Sequence, residues 1–466
     1  MMDADQVRQA FLDYQAELGH VVIARSPLVL LDDPTTLFTG SGMQALLPYL
    51  LGEAHPKGDE LADSQTCLRV QDIEDVGDNR HTTFFEMLGN WSLGAYFKKE
   101  QLPAVWTLLV DRIGLDPARI YVSCFSGDPE YGIEKDVESA EIWAGLFKEA
   151  GLDAEQVDLD TEEYAAEVGN QGARIAFYGK KNWWSRGGTA KTMPVGDPGG
   201  PDSEIFYFFP QIEHDTAYGA KCHQNCDCGR YVEIGNSVFM QYRKTEEGFV
   251  TLPRLNVDFG GGLERMAAAV IDSPDVFRIS LLWPIIAKLE ELSGHTYEER
   301  TYEMRVVADH LRGATFLAVD GVVPSNKEQG YVMRRLVRRA IRYALSLGLD
   351  QNFFGDLVPT IADLYHHSYP EVAAKRDEVV AVLVKEEQRF RNTLAAGLER
   401  LQEYDGQLIT GNELFLLYDR DGFPVELSAE EAVARGMNLS ADWRAEFDAR
   451  MAEQRARSRA AARGRG

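Results

Sequence analysis

The sequence predicts an α+β fold in which an antiparallel sheet flanked by helices is followed by an α-helical domain. Up to about residue 270, short β-like runs alternate with helical segments and are interrupted by glycine and proline. From about Asp272 the β-like runs fade and long helical periods dominate. In that later part, apolar residues recur at spacings of four and seven, the pattern of one helix face. The predicted domains are therefore residues 1–272 and 273–466.

The first domain contains several segments with strand character. They are rich in β-branched and aromatic residues and are bounded by turn residues. They include RIYVSCF (Arg119–Phe125), ARIAFYG (Ala173–Gly179) and SEIFYFF (Ser203–Phe209). The second domain is expected to contain a long helix, because Val379, Leu383, Phe390, Leu394 and Leu401 fall on one helical face.

The bulk composition is that of a globular protein. Hydrophobic residues make up 45% of the 466, and no apolar run approaches the length of about 20 residues that a membrane span requires. The N-terminal MMDADQVRQAFLDYQAELGH lacks the apolar centre of a signal peptide. We therefore expect a soluble, cytoplasmic protein.

One hairpin is a candidate phosphate site. CLRVQ and TTFFEMLGNWSL can form two strands around the polar loop DIEDVGDNR. An arginine fork at Arg69 can bind a phosphate bidentately, and His81, at the end of the loop, can reach an outer phosphate. A buried hairpin with a salt bridge would show the same pattern, so the hairpin alone does not decide the function.

A glycine run is the second candidate feature. In NVDFGGGLERMAAAV, the run Gly260–Gly262 allows a backbone to approach a ligand closely. Asp258 precedes the run, placed to bind a cation, and Arg265 follows it on an amphipathic helix. The alternative is an ordinary glycine turn before a helix.

Three cysteines suggest a metal site. The chain has five cysteines, and Cys222, Cys226 and Cys228 lie within one short segment, HDTAYGAKCHQNCDCGR. Clustered thiols and an odd count argue against a disulfide framework. Three thiolates with the imidazole of His223 or His214 suit tetrahedral zinc. The spacing is not a standard zinc pair, and a flexible loop with reduced thiols is the alternative.

The net charge of −26 argues against unspecific nucleic-acid binding. However, YVMRRLVRRAIRYAL carries five arginines and no acid. Such a basic stripe on an acidic protein fits selective binding of one structured polyanion. Some of the arginines could instead pair with acids of the chain, so two or three are expected to touch a ligand. They are Arg334, Arg335, Arg338, Arg339 and Arg342.

Taken together, the motifs resemble the alanyl-tRNA synthetase family of class II aminoacyl-tRNA synthetases. The resemblance is carried by LFTGSGM, HTTFFEMLGNWSLGAYF, EIGNSVFMQY and GGLERM in the first domain. VVADHLRGATFLAVDGVVPSN, GYVMRRLVRRAIR and LYDRDGFPVEL carry it in the second domain. The resemblance implies a class II antiparallel sheet followed by a helical tRNA-binding domain, and ligation of alanine to tRNA with ATP and Mg²⁺.

The resemblance also implies roles for particular residues. Arg69 and Arg265 would be catalytic, and the ATP site would consist of Arg69, His81, Met87, Gly262 and Arg265. Alanine would contact Trp184, Asn236, Asp258 and Gly260, with Asp258 on the α-ammonium group. Asn326 and Asp419 would flank the G·U pair of the tRNA(Ala) acceptor stem, and the arginine stripe would grip the acceptor arm.

The chain departs from the family pattern in two respects. The cysteine-rich stretch that many relatives carry reads PVGDPGGPDSE here, without cysteine. No segment is recognised for the family's editing and assembly domains, so a monomer that activates serine and releases Ser-tRNA uncorrected is expected. Two other readings stay open: a paralogue that makes aminoacyl-adenylate for another acceptor, and a non-catalytic RNA-binding module.

Overall fold

The computed structural model describes residues 2–30 and 36–463. Internal contacts divide the chain into two compact units, Met1–Pro284 and Ile285–Gly466. The first unit contains a large sheet with flanking helices, and the second is almost entirely helical. The predicted α+β class is confirmed.

The sheet of the first unit has ten strands. They are β1 (Val21–Val22), β2 (Glu60–Leu68), β3 (Phe84–Leu93), β4 (Ile120–Phe125), β5 (Gln156–Asp160), β6 (Ile175–Tyr178), β7 (Trp183–Ser185), β8 (Pro198–Phe208), β9 (Tyr231–Thr245) and β10 (Gly248–Gly262). The three strand segments named from the sequence are therefore confirmed as β4, β6 and β8.

The strand order is β1-β2-β3-β10-β9-β8-β4-β6-β5, and β7 pairs with β8. All pairs from β2 to β4 along this order are antiparallel. The β1–β2, β4–β6 and β5–β6 pairs are parallel. The sheet is thus mixed, with the predicted antiparallel arrangement in its centre and parallel strands at both edges.

Six helices accompany these strands in the described part of the first unit. They are α1 (Ala4–Glu17), α2 (Leu47–Leu50), α3 (Lys98–Thr107), α4 (Val137–Glu149), α5 (Glu162–Val168) and α6 (Leu263–Val270). The Asp3 side chain caps α1 by accepting a hydrogen bond from the backbone amide of Gln6. The Gln6 side chain in turn accepts one from the backbone amide of Asp3.

The later part of the chain is helical. Its elements are α7 (Trp283–Ser293), α8 (Thr301–Val319), α9 (Glu328–Ser346), α10 (Phe354–Tyr365), α11 (Pro370–Ala374), α12 (Arg376–Gln402), α13 (Gly411–Asp421), α14 (Val425–Ala434) and α15 (Trp443–Arg463), with short strands β11 (Leu408–Ile409) and β12 (Asn438–Leu439). The long helix predicted from the apolar spacing is α12, and all five of its pattern residues are buried. Within the described ranges, no helix is long and apolar enough to span a membrane.

Candidate active site

One face of the central sheet collects most of the predicted site. In antiparallel strands, directly opposed residues point to the same face, and so do residues two apart. Asp258 is opposite Trp91 and Val238, and Gly260 is opposite Gly89 and Asn236. Met87 is opposite Gly262. The pairing register of β3, β9 and β10 therefore places Met87, Asn236, Asp258, Gly260 and Gly262 on one surface.

A cleft of about 620 Å³ lies at one end of this face. Its size is within the usual range for small-ligand sites. It contains all five residues that the sequence assigned to ATP. The lining residues are Arg69, Asp72, Arg80, His81, Thr82, Phe85, Met87, Glu233, Ile234, Gly260, Gly262, Glu264 and Arg265.

Arg69 directly follows β2 and is held from one side. Its Nε donates to the carbonyl of Gly40 at 3.1 Å. Its guanidinium carbon lies 4.8 Å from the centre of the Phe85 ring. Neither contact uses the two terminal nitrogens, which make no hydrogen bond to another described residue. The fork that can bind a phosphate is thus oriented and available.

Arg265 projects from the first turn of α6. One terminal nitrogen donates to the carbonyl of Glu233 at 3.1 Å and lies 3.8 Å from its carboxylate. The side chain is 30% exposed. The cleft therefore has a guanidinium after β2 and another on α6, as binding of a polyphosphate requires.

His81 is oriented by Asp78. Its Nδ1 lies 2.6 Å from Oδ2 of the Asp78 carboxylate. The other carboxylate oxygen, Oδ1, accepts the backbone amides of Arg80 and His81. Burial raises the pKa of Asp78, but these hydrogen bonds outweigh it and lower the pKa to about 2. An ionised carboxylate can only accept, so Nδ1 carries a proton and Nε2 remains for a ligand.

The glycine run is needed for close packing. A Cβ at position 260 would lie 2.8 Å from Met87 Sδ. The same sulfur accepts the backbone amide of Gly42 at 3.3 Å. Met87 thus fills the space beside Gly260, and any side chain there would displace it.

Asp258 is a buried acid, and none of the described residues forms an ion pair with it. Its carboxylate accepts the indole N–H of Trp91 at 2.7 Å. Burial raises its pKa to about 7, and the Trp91 hydrogen bond opposes the rise. The neighbouring Asp63 is also buried, and burial together with Asp258 raises its pKa well above the usual value. An ammonium group entering here would relieve the cost of both buried carboxylates.

Trp184 and Asn236 border the same region. Trp184 packs against the apolar cluster that contains Trp91 and Val238. Asn236 hydrogen-bonds to Asp202, and its own Oδ1 is buried without a partner in the described residues. Asn236 thus shares the sheet face of Asp258, and Trp184 packs against the cluster of Trp91, which donates to Asp258.

The cysteine cluster forms a compact donor set. Ligand atoms of His214, Cys222, Cys226 and Cys228 all lie within 4.8 Å of one another. His214 Nε2 lies 3.0 Å from the Gly219 carbonyl, so it is the protonated nitrogen, and Nδ1 presents its lone pair 3.7 Å from Cys226 Sγ. The hydrogen bond from Cys222 lowers the pKa of Cys226 to about 5.

His223 is placed differently. Its Nδ1 is 2.9 Å from the Tyr178 hydroxyl, and the ring is buried. Of the two histidines considered from the sequence, His214 is therefore the one that the structure brings to the three thiols. Sequence spacing could not distinguish them, because His214 precedes the cysteines and His223 lies among them, and neither position matches a standard zinc spacing.

The arginine stripe lies on α9 and is largely engaged within its own unit. Arg334 binds Glu386 at 2.8 Å, Arg339 pairs with Glu430, and Arg342 binds Glu431 at 3.0 Å. Arg338 stacks on Phe390, and burial lowers its pKa to about 10. Arg335 is half-buried and also has contacts. Fewer arginines than predicted therefore face the solvent freely, because glutamates of α12 and α14 form ion pairs with three of them.

The two predicted base readers are exposed. Asn326 accepts a hydrogen bond from Arg334 through Oδ1, which leaves its NH₂ group to donate. It lines a cleft of about 710 Å³ together with Tyr331, Tyr418 and Arg444. Asp419 follows Tyr418 on α13 and accepts from Gln454. The structure thus places Asp419 next to a residue of this cleft.

Several cleft residues were missed from the sequence. Asp72, Arg80 and Glu233 line the nucleotide-sized cleft, and Glu264 accepts the backbone amide of Glu86 there. Asp63 accompanies Asp258. Glu233 and Arg80 lie within or directly beside the motifs EIGNSVFMQY and HTTFFEMLGNWSLGAYF. Their place in these segments was the sequence signal that could have identified them. Asp63 had none, because its role depends on cross-strand register.

Comparisons with known proteins found similar chains. The family model described as "tRNA synthetases class II (A)" matches residues 6–466. The alanine–tRNA ligase of Borreliella afzelii is 38% identical over 94% of this chain and 70% of its own length. That of Halorhodospira halophila is 39% identical over 99% of this chain, which spans half of that protein. The histidyl-tRNA synthetase of S. aureus matches structurally over 62% of this chain and 75% of its own, with a TM-score of 0.33 and 12% identity.

The mixed sheet with an arginine-lined cleft, together with the family match, defines a class II tRNA synthetase. Within that class, the chain belongs to the family of the alanine–tRNA ligases.

Proposed function

We propose that this chain activates alanine with ATP and transfers it to the 3′ end of tRNA(Ala). The alanine carboxylate attacks the α-phosphorus, the bond to the β-phosphate oxygen breaks, and pyrophosphate leaves. A hydroxyl of the terminal ribose then attacks the carbonyl carbon of the adenylate, and AMP leaves. The observation that carries the proposal is the sheet face that joins a buried anionic residue, Asp258, to a cleft with two oriented arginines.

The roles of the residues follow from their contacts. The free fork of Arg69 suits the α-phosphate, where attack adds negative charge, and Arg265 suits the far phosphate. With Nδ1 held by Asp78, His81 would donate from a protonated Nε2 to the oxygens of the outer phosphates. Asp258 would bind the ammonium group of alanine, with Trp184, Asn236 and Gly260 enclosing its methyl group.

Class II synthetases use Mg²⁺ with ATP. The donor set of the cleft fits the ion, because Asp72 and Glu233 both line it and supply carboxylate oxygens. Mg²⁺ bound by them would neutralise charge on the pyrophosphate. Asp72 is partly buried, which raises its pKa, and Arg69 and His81 oppose that effect.

We also propose that His214, Cys222, Cys226 and Cys228 hold zinc. Three sulfurs and one imidazole nitrogen at these separations fit a closed tetrahedral site. Elemental analysis of protein purified without chelator tests this, and about one zinc per chain is expected. Less than about a tenth of a zinc per chain would overturn the proposal.

Recognition of the acceptor stem is assigned to the second unit. The amide of Asn326 and the carboxylate of Asp419 can read the minor-groove edges of a G·U pair, and the RNA minor groove is wide enough to admit them. The partly exposed Arg335, Arg338 and Arg342 are the stripe members best placed for the phosphates.

Alanine-dependent ATP–pyrophosphate exchange, followed by charging of tRNA(Ala), tests the function. Both activities are expected, and Arg69→Ala should lose exchange. Arg119→Ala is the matched control, because Arg119 pairs with Asp272 away from the cleft and should keep exchange. Exchange without charging would favour the paralogue that loads another acceptor. Absence of exchange would favour the RNA-binding module.

A further inference from the structure

The cysteine cluster touches the nucleotide cleft through one side chain. Arg80 Nη2 donates a hydrogen bond to the backbone carbonyl of Asp227. Asp227 lies between Cys226 and Cys228, two of the four donors of the cluster. Arg80 itself lines the cleft, beside His81. Arg80 thus joins the wall of the ATP site to a backbone segment that metal ligands would fix.

The contact between the two segments is tight. A Cβ on Gly229 would lie 2.9 Å from Arg80 Nη1, and Gly229 has a φ of +84°. Glycine at this position adopts the positive φ without strain and leaves room for the guanidinium. The Arg80 side chain is only 16% exposed.

Arg80 also belongs to the turn that orients His81. The Asp78 carboxylate accepts the backbone amides of both residues and lies 3.8 Å from Arg80 Nη1. On the other side, the chain leaves Cys228 and enters β9 two residues before Glu233, which also lines the cleft. The cluster segment therefore contacts the cleft wall at the Arg80 side chain, and its chain then continues into β9.

We propose that the metal site positions Arg80, so that metal occupancy and ATP affinity are thermodynamically linked. This rests on the zinc site and the ATP site proposed above. With zinc bound, the segment from Cys222 to Cys228 is fixed and its Asp227 carbonyl holds the guanidinium toward the cleft. Without metal, the carbonyl loses its fixed position and the Arg80 side chain becomes less ordered. The free energy of ordering it is then taken from the binding of ATP, so the affinity for ATP is weaker. Arg80 thus acts as a positioning residue that connects the metal site to the ATP site.

The test is a cycle of two proteins and two metal states. The dissociation constant of ATP is measured by calorimetry, without alanine and with Mg²⁺, for zinc-loaded and zinc-depleted forms of the wild type and of Arg80→Ala. Zinc removal should weaken ATP binding of the wild type about 10-fold, a typical coupling between sites. Arg80→Ala should keep its zinc and bind ATP equally in both states.

Arg230→Ala is the matched control. Arg230 follows the same cysteines but stacks on Phe208, 5.0 Å from the ring centre, and does not line the cleft. It should respond to zinc removal as the wild type does. Hydrogen exchange supplies a second readout, because the amides of Arg80 and His81 should lose protection in the zinc-depleted wild type.

The outcomes separate the proposals. If the protein binds zinc but its removal leaves ATP affinity unchanged, the linkage is wrong and the zinc site stands. The linkage is also wrong if Arg80→Ala retains the 10-fold response. If no zinc binds, the zinc site and its linkage to ATP binding are both overturned. If zinc-loaded protein fails to bind ATP at all, the ATP site itself is refuted.

Discussion

Replacing Asp258 by asparagine would test the alanine pocket most directly. The change is nearly isosteric, and the asparagine Oδ1 can still accept the Trp91 indole N–H. What disappears is a buried negative charge. Truncating one partner of a buried charge pair costs about 2–5 kcal/mol, so the KM for alanine should rise about 100-fold. The KM for ATP should stay within about 2-fold, because no ATP contact is assigned to this residue.

The same substitution should stabilise the free protein above neutral pH. The pKa of Asp258 is raised to about 7, so ionisation opposes folding. This penalty is absent below the unfolded pKa near 4, grows as the pH rises toward 7, and is complete above it. At about 1.4 kcal/mol per tenfold change in an equilibrium constant, the upper limit is about 4 kcal/mol. Thermal unfolding at pH 8 should therefore occur at a higher temperature in Asp258→Asn, and the gain should vanish near pH 4.

Alanine binding supplies the matching pH profile. Protonation of Asp258 removes the partner of the ammonium group, so the KM for alanine of the wild type should rise about 10-fold per pH unit below about 7. Asp258→Asn should show a flat profile. Pyrophosphate exchange at varied alanine concentration between pH 5.5 and 8.5 measures both. A folded Asp258→Asn protein with wild-type KM for alanine would refute the assignment.

Three further predictions concern the other functional residues and the choice of amino acid. Arg69→Ala or Arg265→Ala should lower the pyrophosphate exchange rate about 10²-fold, the scale of one oriented charge donor; near-wild-type exchange in either folded variant would contradict its role. Asn326→Ala or Asp419→Ala should impair charging while exchange is kept, and equal loss of both activities would mark these residues as structural. Serine should be activated about 10²-fold less efficiently than alanine in exchange, because a methyl-sized apolar pocket rejects an added hydroxyl only weakly; discrimination above about 10⁴ would contradict this account of the pocket.

The sequence was most informative where local pattern and chemistry coincide. Helix α12 could be predicted because its buried residues follow the helical period, and strand β4 because it is a short run of β-branched and aromatic residues. Arg69 and Arg265 could be named because their motifs are contiguous, and the cleft does contain both. The parallel edges of the sheet were missed, because pairing between distant strands leaves no mark in either strand alone.

The charged partners of the arginine stripe could not be predicted from the sequence either. The acids that pair with Arg334 and Arg339 lie on other helices, 52 and 91 residues away in sequence. An amphipathic pattern therefore looked like an exposed basic stripe, although tertiary packing provided it with counter-charges. Asp63 was invisible for the same reason, since only the strand register brings it near Asp258.

The central sheet has a consequence for synthesis on the ribosome. Strand β3 ends at Leu93, but its antiparallel partner β10 begins at Gly248. At about 5–20 residues per second, roughly 10–30 s pass before β10 has been made. During that time β3 can pair only with β2, and its other edge is an open template for β-strands of other chains. Molecular chaperones that shield strand edges should therefore matter most for this protein while residues 94–247 are being translated.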